Sequence, residues 1–256
     1  MKSANKLTWA IVLACLFCLN SCTQKKQADK HAIHWSYSGS TGPDHWGDLS
    51  PQFVLCKSGL LQSPIDIASP QAQKGVPLKF SYQPCKLYLQ NNGHTIQQTY
   101  DGKSTLKVNG KTFTLLQFHF HSESEHTISN RRYAMEMHLV HKSADGDIAV
   151  VGILFKRGAV NTFLKSLWPA LPMKANLSSH SARTIDVADA IPAGAGWYAY
   201  EGSFTTPPGT EGVKWFLLSQ PVEMSPDQLA TFRKAYAGNF RPVQPLNGRK
   251  IIHYQP

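Results

Sequence analysis

Charge and cysteine are both scarce in this 256-residue chain, and each scarcity narrows what it can be. Only 16% of residues are charged while 42% are hydrophobic, a balance that belongs to a globular protein with a sizeable core. Acids are the scarcer sign, 16 against 26 Lys and Arg, for a formal net charge of +10. The basic residues are scattered, with Lys25-Lys26 and Arg131-Arg132 no more than pairs, and no nucleic-acid motif stands among them. The charge therefore reads as a solvated basic surface that steers small anions weakly. Internal repeats and low-complexity blocks are missing. So are a His-Glu-x-x-His helix and a Gly-x-Ser-x-Gly elbow, which argues against a peptidase of the first kind and a hydrolase of the second.

Long apolar runs are missing too. The stretch from Leu7 to Leu19, behind Lys2 and Lys6, is too short to span a bilayer as a mature helix and suits a signal-peptide core. Leu19-Asn-Ser-Cys22 resembles the bacterial lipoprotein cleavage box, which would make Cys22 the lipidated first residue. Asn20 is unusual there, and plain secretory cleavage nearby is the alternative. The expected organisation is a signal peptide over 1–21, a flexible tether over 22–32 and one domain over 33–256. The location follows as exported, either periplasmic or lipid-anchored at the bacterial envelope. Of five cysteines, Cys15 and Cys18 leave with the signal. Cys56 and Cys85 remain and can pair in an oxidising compartment, closing a loop worth roughly 3–4 kcal/mol in the chain-entropy model. Two free thiols are the alternative.

What is present is strand. Leu78–Tyr82, Lys86–Gln90, Thr105–Val108, Lys111–Phe120, Tyr133–His141, Ile148–Phe155 and Val213–Ser219 read as strands, with Asn109-Gly110 as a tight hairpin signal. Helices look short and peripheral. One runs from Ser225 as N-cap, through Leu229, Phe232 and Tyr236, to Gly238; another covers about Thr162–Trp168. A mainly β (α+β) domain with a large, twisted, mostly antiparallel sheet is the simplest architecture.

Two of those strands carry chemistry. Alternation puts Gln117, His119 and His121 on one face of the first, and Glu136, His138 and Val140 on one face of the second. Paired antiparallel, they can bring three imidazoles to one point. Three histidines and an open fourth position are a known catalytic zinc set. Gln117 and Glu136 are placed to take the second N–H of ligand histidines.

With these pieces in place, the chain resembles the α-class carbonic anhydrases. The matching motifs stand in order: Gly42-Pro-Asp-His-Trp46, Gln62-Ser-Pro-Ile-Asp66, Asn91-Asn-Gly-His94, Gln117-Phe-His-Phe-His121, Ser124-Glu-His126, Glu136-Met-His-Leu-Val-His141, Thr205-Thr-Pro-Pro208 and Arg241-Pro-Val-Gln-Pro-Leu246. The resemblance implies a sheet of about ten strands and one zinc ion per chain on His119, His121 and His138. It implies reversible hydration of carbon dioxide to bicarbonate by zinc-bound hydroxide. It makes Thr205 the acceptor of the hydroxide's hydrogen bond and the donor to Glu125. Val140, Val150, Phe204 and Trp215 become the apolar wall, and Thr206 a bicarbonate contact. His94 becomes the proton shuttle, with Tyr37 and Asn92 along its water path. His126 and His141 remain structural.

Two departures stand out. Phe204 is more often Leu in the family, and the larger ring narrows the pocket. Secreted relatives often pair a cysteine near position 56 with one after Thr-Thr-Pro-Pro, where this chain has Gly209-Thr210. Two other readings stay open: a recognition module of the same family that has lost turnover, and a different zinc hydrolase. Carbon dioxide and bicarbonate are the expected small-molecule partners; nucleic acid is not expected, and contact with a membrane only through Cys22.

Overall fold

Turn punctuation sets the strand ends. Asn109 and Gly110 both take positive φ, 49° and 79°, and pair Val108 with Lys111 across a two-residue hairpin. A computed structural model describes residues 33–75, 77–101 and 103–255. The expected signal peptide, the tether and Cys22 lie outside the described residues.

In chain order, α1 (Trp46–Leu49) and α2 (Leu55–Ser58) are followed by β1 (Asp66–Ile67), β2 (Gln71–Lys74), β3 (Lys79–Ser81), β4 (Cys85–Asn91) and β5 (Ile96–Thr99). Next come β6 (Thr105–Val108), β7 (Lys111–His121), β8 (Thr127–Ile128), β9 (Arg131–Arg132), β10 (Met135–Ser143) and β11 (Ile148–Arg157). Then follow α3 (Thr162–Leu167), β12 (Ser178–Ile185), β13 (Trp197–Ser203), β14 (Glu211–Leu218), β15 (Val222–Met224), α4 (Pro226–Arg233) and β16 (Ile252–Gln255).

Among the described residues one sheet of 13 strands dominates, with ten in the order β12-β4-β5-β7-β10-β11-β14-β13-β16-β2 and β3, β6 and β15 beside that path. The expected ten are thus the main path of a larger sheet. It is mostly antiparallel; β11 with β14, β11 with β15 and β16 with β2 are its parallel pairs. β1, β8 and β9 form a small second sheet.

The two faces of the large sheet do different work. Met135, Met137 and Leu139 of β10 and Ala149, Val151 and Ile153 of β11 enter the main core, where Leu164, Leu229 and Phe232 cover them. Val140, Val150, Leu154, Trp215 and Leu217 form a separate apolar cluster on the opposite face. In β7 simple alternation fails. Phe113 and Leu115 share the main core with Phe118 and Phe120. The register slips there, since Val140 faces Gln117 while the next residue, His141, faces Leu115. Leu116 is the extra residue of a β-bulge, 39% exposed, and it flips the alternation. Without it, Gln117, His119 and His121 would share a face with Phe113 and Leu115. Burial worth roughly 1.5–3 kcal/mol per large apolar side chain enforces the bulge.

Helix α4 is capped as expected: Ser225 accepts from Gln228 N–H and the Gln228 side chain returns to Ser225. It stops at Arg233, so Tyr236 and Gly238 lie beyond it. The Gly238 N–H leaves the helix ladder and donates to the Ser122 carbonyl instead. Helix α3 ends at Leu167 because Trp168 opens a short 3-10 turn over Trp168–Ala170, with Pro169 inside it.

Cys56 and Cys85 are both free, so of the two alternatives left open by the sequence the structure has the unpaired thiols. Cys56 sits on α2 beside Gly209, whereas Cys85 begins β4 and its sulfur accepts from Gln98 Nε2 at 3.6 Å. Thiol titration of a chain beginning at residue 23, unfolded without reductant, should find both sulfurs reactive. A count of zero would restore the bridge.

Candidate active site

β7 and β10 place the three histidines by register alone. His138 stands opposite His119, and Glu136 opposite His121. One nitrogen from each of the three rings lies within 4.8 Å of the others. The second nitrogen of each ring is tied to an oxygen. Gln117 Oε1 accepts from His119 Nδ1 at 2.8 Å, the Asn239 carbonyl from His121 Nδ1 at 2.7 Å, and Glu136 Oε1 from His138 Nε2 at 2.9 Å. Each tie puts the proton on the bound nitrogen and leaves a lone pair on the other. His121 Nε2 is buried with no hydrogen-bond partner. Burial, with His121 and His138 adding, holds the His119 imidazole well below its ordinary value; burial holds His121 below its own. Imidazole nitrogens that converge with no hydrogen-bond donor between them are the donor set a zinc ion takes. Gln117 and Glu136 thus sit where the sequence puts them.

His126, Glu136 and His138 also come close enough to hold a metal. Their atoms are otherwise engaged. Glu136 Oε1 accepts from His126 Nδ1 at 2.7 Å as well as from His138, and Oε2 accepts from the Glu125 and His126 backbone N–H groups, both at 2.8 Å. His126 Nε2 meets Tyr200 Oη at 2.7 Å. Burial alone would raise the Glu136 carboxyl, but the His126 and His138 rings outweigh it and hold it well below the usual carboxylate range. This group is a brace for His138, and His126 is structural. So is His141, which faces the main core with its Nε2 on Tyr82 Oη at 2.8 Å.

Glu125 is fully buried. Its Oε1 accepts from the Arg241 backbone N–H at 2.8 Å, and its Oε2 has no partner. The Thr205-to-Glu125 hydrogen bond that the resemblance implies is therefore not formed. Oε2 is turned toward the histidines, 3.6 Å from His121 Nε2 and 3.8 Å from His138 Nδ1. Thr205 is buried in the turn after β13, and Thr206 beside it is half-buried.

Val140 pairs with Val150, and Val150 with Trp215, so three strands line up an apolar surface next to His138. Phe204 packs on it from the same turn as Thr205. Trp215 also packs its ring edge-on against His138, centroids 4.9 Å apart. It belongs to wall and core together.

His94 is half-buried and stacked on Trp35, centroids 3.6 Å apart and planes 5° from parallel. Burial, with the nearby His34, holds its imidazole below the ordinary value. Asn92 anchors the turn: its Oδ1 accepts from the His94 and Thr95 N–H groups at 3.0 and 2.9 Å. Tyr37 packs edge-on against Trp35, and burial, with Glu125 adding, pushes its phenol well up.

Three contributors escaped the sequence reading. Asn239 offers a backbone carbonyl, which leaves no residue-type signal, although its side chain also accepts from Ser122 N–H at 2.9 Å. Arg241 acts on Glu125 through its peptide N–H. Gly152 stands opposite His138, and a Cβ there would lie 2.6 Å from Leu217 Cδ1 and 3.1 Å from Glu136 Oε1. Gly152→Ala should push Glu136 off His138 and weaken the affinity of the three histidines for an added divalent metal roughly 10- to 100-fold, the usual scale for losing such a support. Chelator competition measures it; unchanged affinity would remove Gly152 from the site.

Residues 41–255 match the family model for eukaryotic-type carbonic anhydrase. The chain is 43% identical over 226 residues to a carbonic anhydrase of Nostoc sp., covering 86% of each chain. It is 39% identical over 253 residues to a carbonic anhydrase of Neisseria gonorrhoeae, covering 98% of each. Among solved structures, the α-carbonic anhydrase of Thermovibrio ammonificans in complex with the inhibitor sulfanilamide superposes with a TM-score of 0.84 at 45% identity. That match covers 86% of this chain and 99% of that one. The motifs, the sheet and the histidine cluster agree with these likenesses: the chain belongs to the eukaryotic-type (alpha) carbonic anhydrase family, and is a lyase of the carbonate dehydratase kind.

Proposed function

We propose that the chain hydrates carbon dioxide reversibly to bicarbonate and a proton, using one zinc ion held by His119, His121 and His138. The observation that carries the reading is the set of three rings, each with one nitrogen tied to oxygen and the other free. Zinc there supplies the Lewis acidity that makes hydroxide available at neutral pH.

The residues supply the rest. Val140, Val150, Phe204 and Trp215 give a nonpolar substrate an apolar surface beside the nucleophile. Thr205 orients the attacking oxygen by accepting its hydrogen and donates its own proton to Glu125, whose Oε2 has a free lone pair to receive it. The Thr205-to-Glu125 hydrogen bond requires side-chain rotation, since Glu125 Oε2 lies 3.6 Å from His121 Nε2 while Oε1 is held by the Arg241 N–H. Thr206 meets the bicarbonate product. His94 carries the released proton to buffer: its lowered pKa keeps it neutral at pH 7, so it can accept. Tyr37 and Asn92 support its water path. The chain's export, with a lipid at Cys22 or plain cleavage nearby, is part of the same proposal and rests on the Lys2-to-Cys22 pattern.

Stopped-flow hydration on metal-analysed protein tests this. One zinc per chain should accompany rapid hydration that sulfanilamide inhibits, and His119→Ala should lose zinc and activity together. Bound zinc without acceleration would overturn the reading in favour of a recognition module. His94→Ala should slow turnover at low buffer and recover with added imidazole. In the wild type, buffer-independent turnover should fall with acid only below the ordinary imidazole value of 6.5, because the folded pKa is depressed. A His94→Ala rate independent of buffer would remove His94 as the shuttle.

A further inference from the structure

Gln62 opens a motif that the chemistry above leaves idle. It is 3% exposed, between α2 and β1, and its amide is fully engaged. Nε2 donates to the Gly209 carbonyl at 2.8 Å and to Glu211 Oε1 at 3.1 Å, and Oε1 accepts from Arg241 Nη1 at 2.8 Å. Both directions lead to reacting residues. The Arg241 peptide N–H donates to Glu125 Oε1. The Gly209 N–H closes on the Thr206 carbonyl at 2.9 Å, and Phe204 N–H on the Thr210 carbonyl at 3.0 Å, so Gly209 ends the turn that carries Thr205. One amide thus spans the two residues whose separation decides whether Thr205 can reach Glu125.

Neither end has slack. The Arg241 side chain is 1% exposed, and its acceptors are all neutral: Gln62 Oε1, the Ser63 carbonyl and the Cys56 carbonyl, each at 2.8 Å. Its Nε has no partner. A buried guanidinium in that position cannot give up an acceptor without moving. At the other end, Gly209 takes φ +70°, and a Cβ there would stand 2.9 Å from Gln62 Oε1 and 2.8 Å from Cys56 Sγ.

We propose that Gln62 is a positioning residue, which fixes the Thr205–Gly209 turn against Arg241 and so sets the geometry between Thr205 and Glu125. The proposal rests on the hydration chemistry above and names what aligns it.

Two variants test it. Gln62→Glu keeps an acceptor for Arg241 but replaces the donor to the Gly209 carbonyl with a repelling oxygen, and sets a second carboxylate against Glu211. Gln62→Glu with Glu211→Gln removes that clash and restores a hydrogen bond between the two side chains, while Gly209 still lacks its donor. Both should keep one zinc per chain, and the double variant should regain the thermal midpoint lost by the single. In both, kcat/KM should stay roughly 10- to 100-fold down, the scale of a misplaced reacting group. Recovery of kcat/KM together with stability in the double variant, or wild-type kcat/KM in either, would overturn the proposal. If the wild type itself failed to hydrate carbon dioxide, the proposed function would fall separately. Crystal structures would then decide the brace: a 204–210 turn displaced from Glu125 in the double variant supports it, and an unmoved turn refutes it.

Discussion

Each site histidine gives one nitrogen to a fixed oxygen and keeps the other bare. An unpaired buried polar atom costs about 1–3 kcal/mol, and folds seldom tolerate one without cause. Here His121 Nε2 and Glu125 Oε2 are both buried and unpaired, 3.6 Å apart. Their neighbours are arranged to keep them so. Glu136 accepts four hydrogen bonds, from His138, His126 and two peptide N–H groups, and has nothing left with which to move. Gly152 leaves the space that this carboxylate needs. The free lone pairs are therefore features that the surrounding structure imposes. They mark the point where a cation would repay the cost.

Such a site needs a sheet whose two faces never exchange roles. One face of β10 and β11 is mainly apolar, with His141 tied to Tyr82, and carries α3 and α4; the other carries imidazoles, a buried carboxylate and a small apolar wall. A slip of one residue would drive His119 and His121 into the main core and Phe118 and Phe120 toward the site. The bulge at Leu116 makes the two halves of β7 compatible: its first half obeys the hairpin at Asn109-Gly110, and its second half obeys the histidines. The partly exposed Leu116 side chain is the cost of that reconciliation.

The same contrast explains what the sequence disclosed. The meeting of His119, His121 and His138 was legible because alternation puts them on facing strand positions, and the ties to Gln117 and Glu136 follow from the same alternation. The Ser225 cap and the β6–β7 hairpin were legible because each rests on one local residue pattern. Ser178–Ile185 and Gln71–Lys74 were not, because they are polar, exposed edge strands held by a neighbour rather than by their own composition. The Leu116 bulge was hidden because it is a compromise between two patterns, each regular by itself. The Asn239 carbonyl could not be read at all, since any residue supplies one. The orientation of Glu125 Oε2 depends on side-chain rotation that spacing does not encode.

The support for Glu125 and Thr205 also binds the site to the whole fold. Gln62 reaches Gly209 across 147 positions, Arg241 reaches the Cys56 carbonyl across 185, and Arg241 reaches Glu125 across 116. Contacts this far apart in sequence carry a high loop-closure cost and form only once the intervening sheet exists. The three clustered histidines, by contrast, come from the adjacent strands β7 and β10, whose pairing is comparatively local. The meeting of the three rings is thus set by a nearby strand pair, while the Asn239 tie to His121 and the proposed alignment of Thr205 with Glu125 both depend on residues 239–241 docking over that pair. A chain that had formed β7 and β10 without docking residues 56–63 onto Arg241 could present three imidazoles to a metal and still lack an aligned Thr205 and Glu125. Bringing the three rings together therefore demands less of this fold than fixing His121 on Asn239 or setting Thr205 against Glu125.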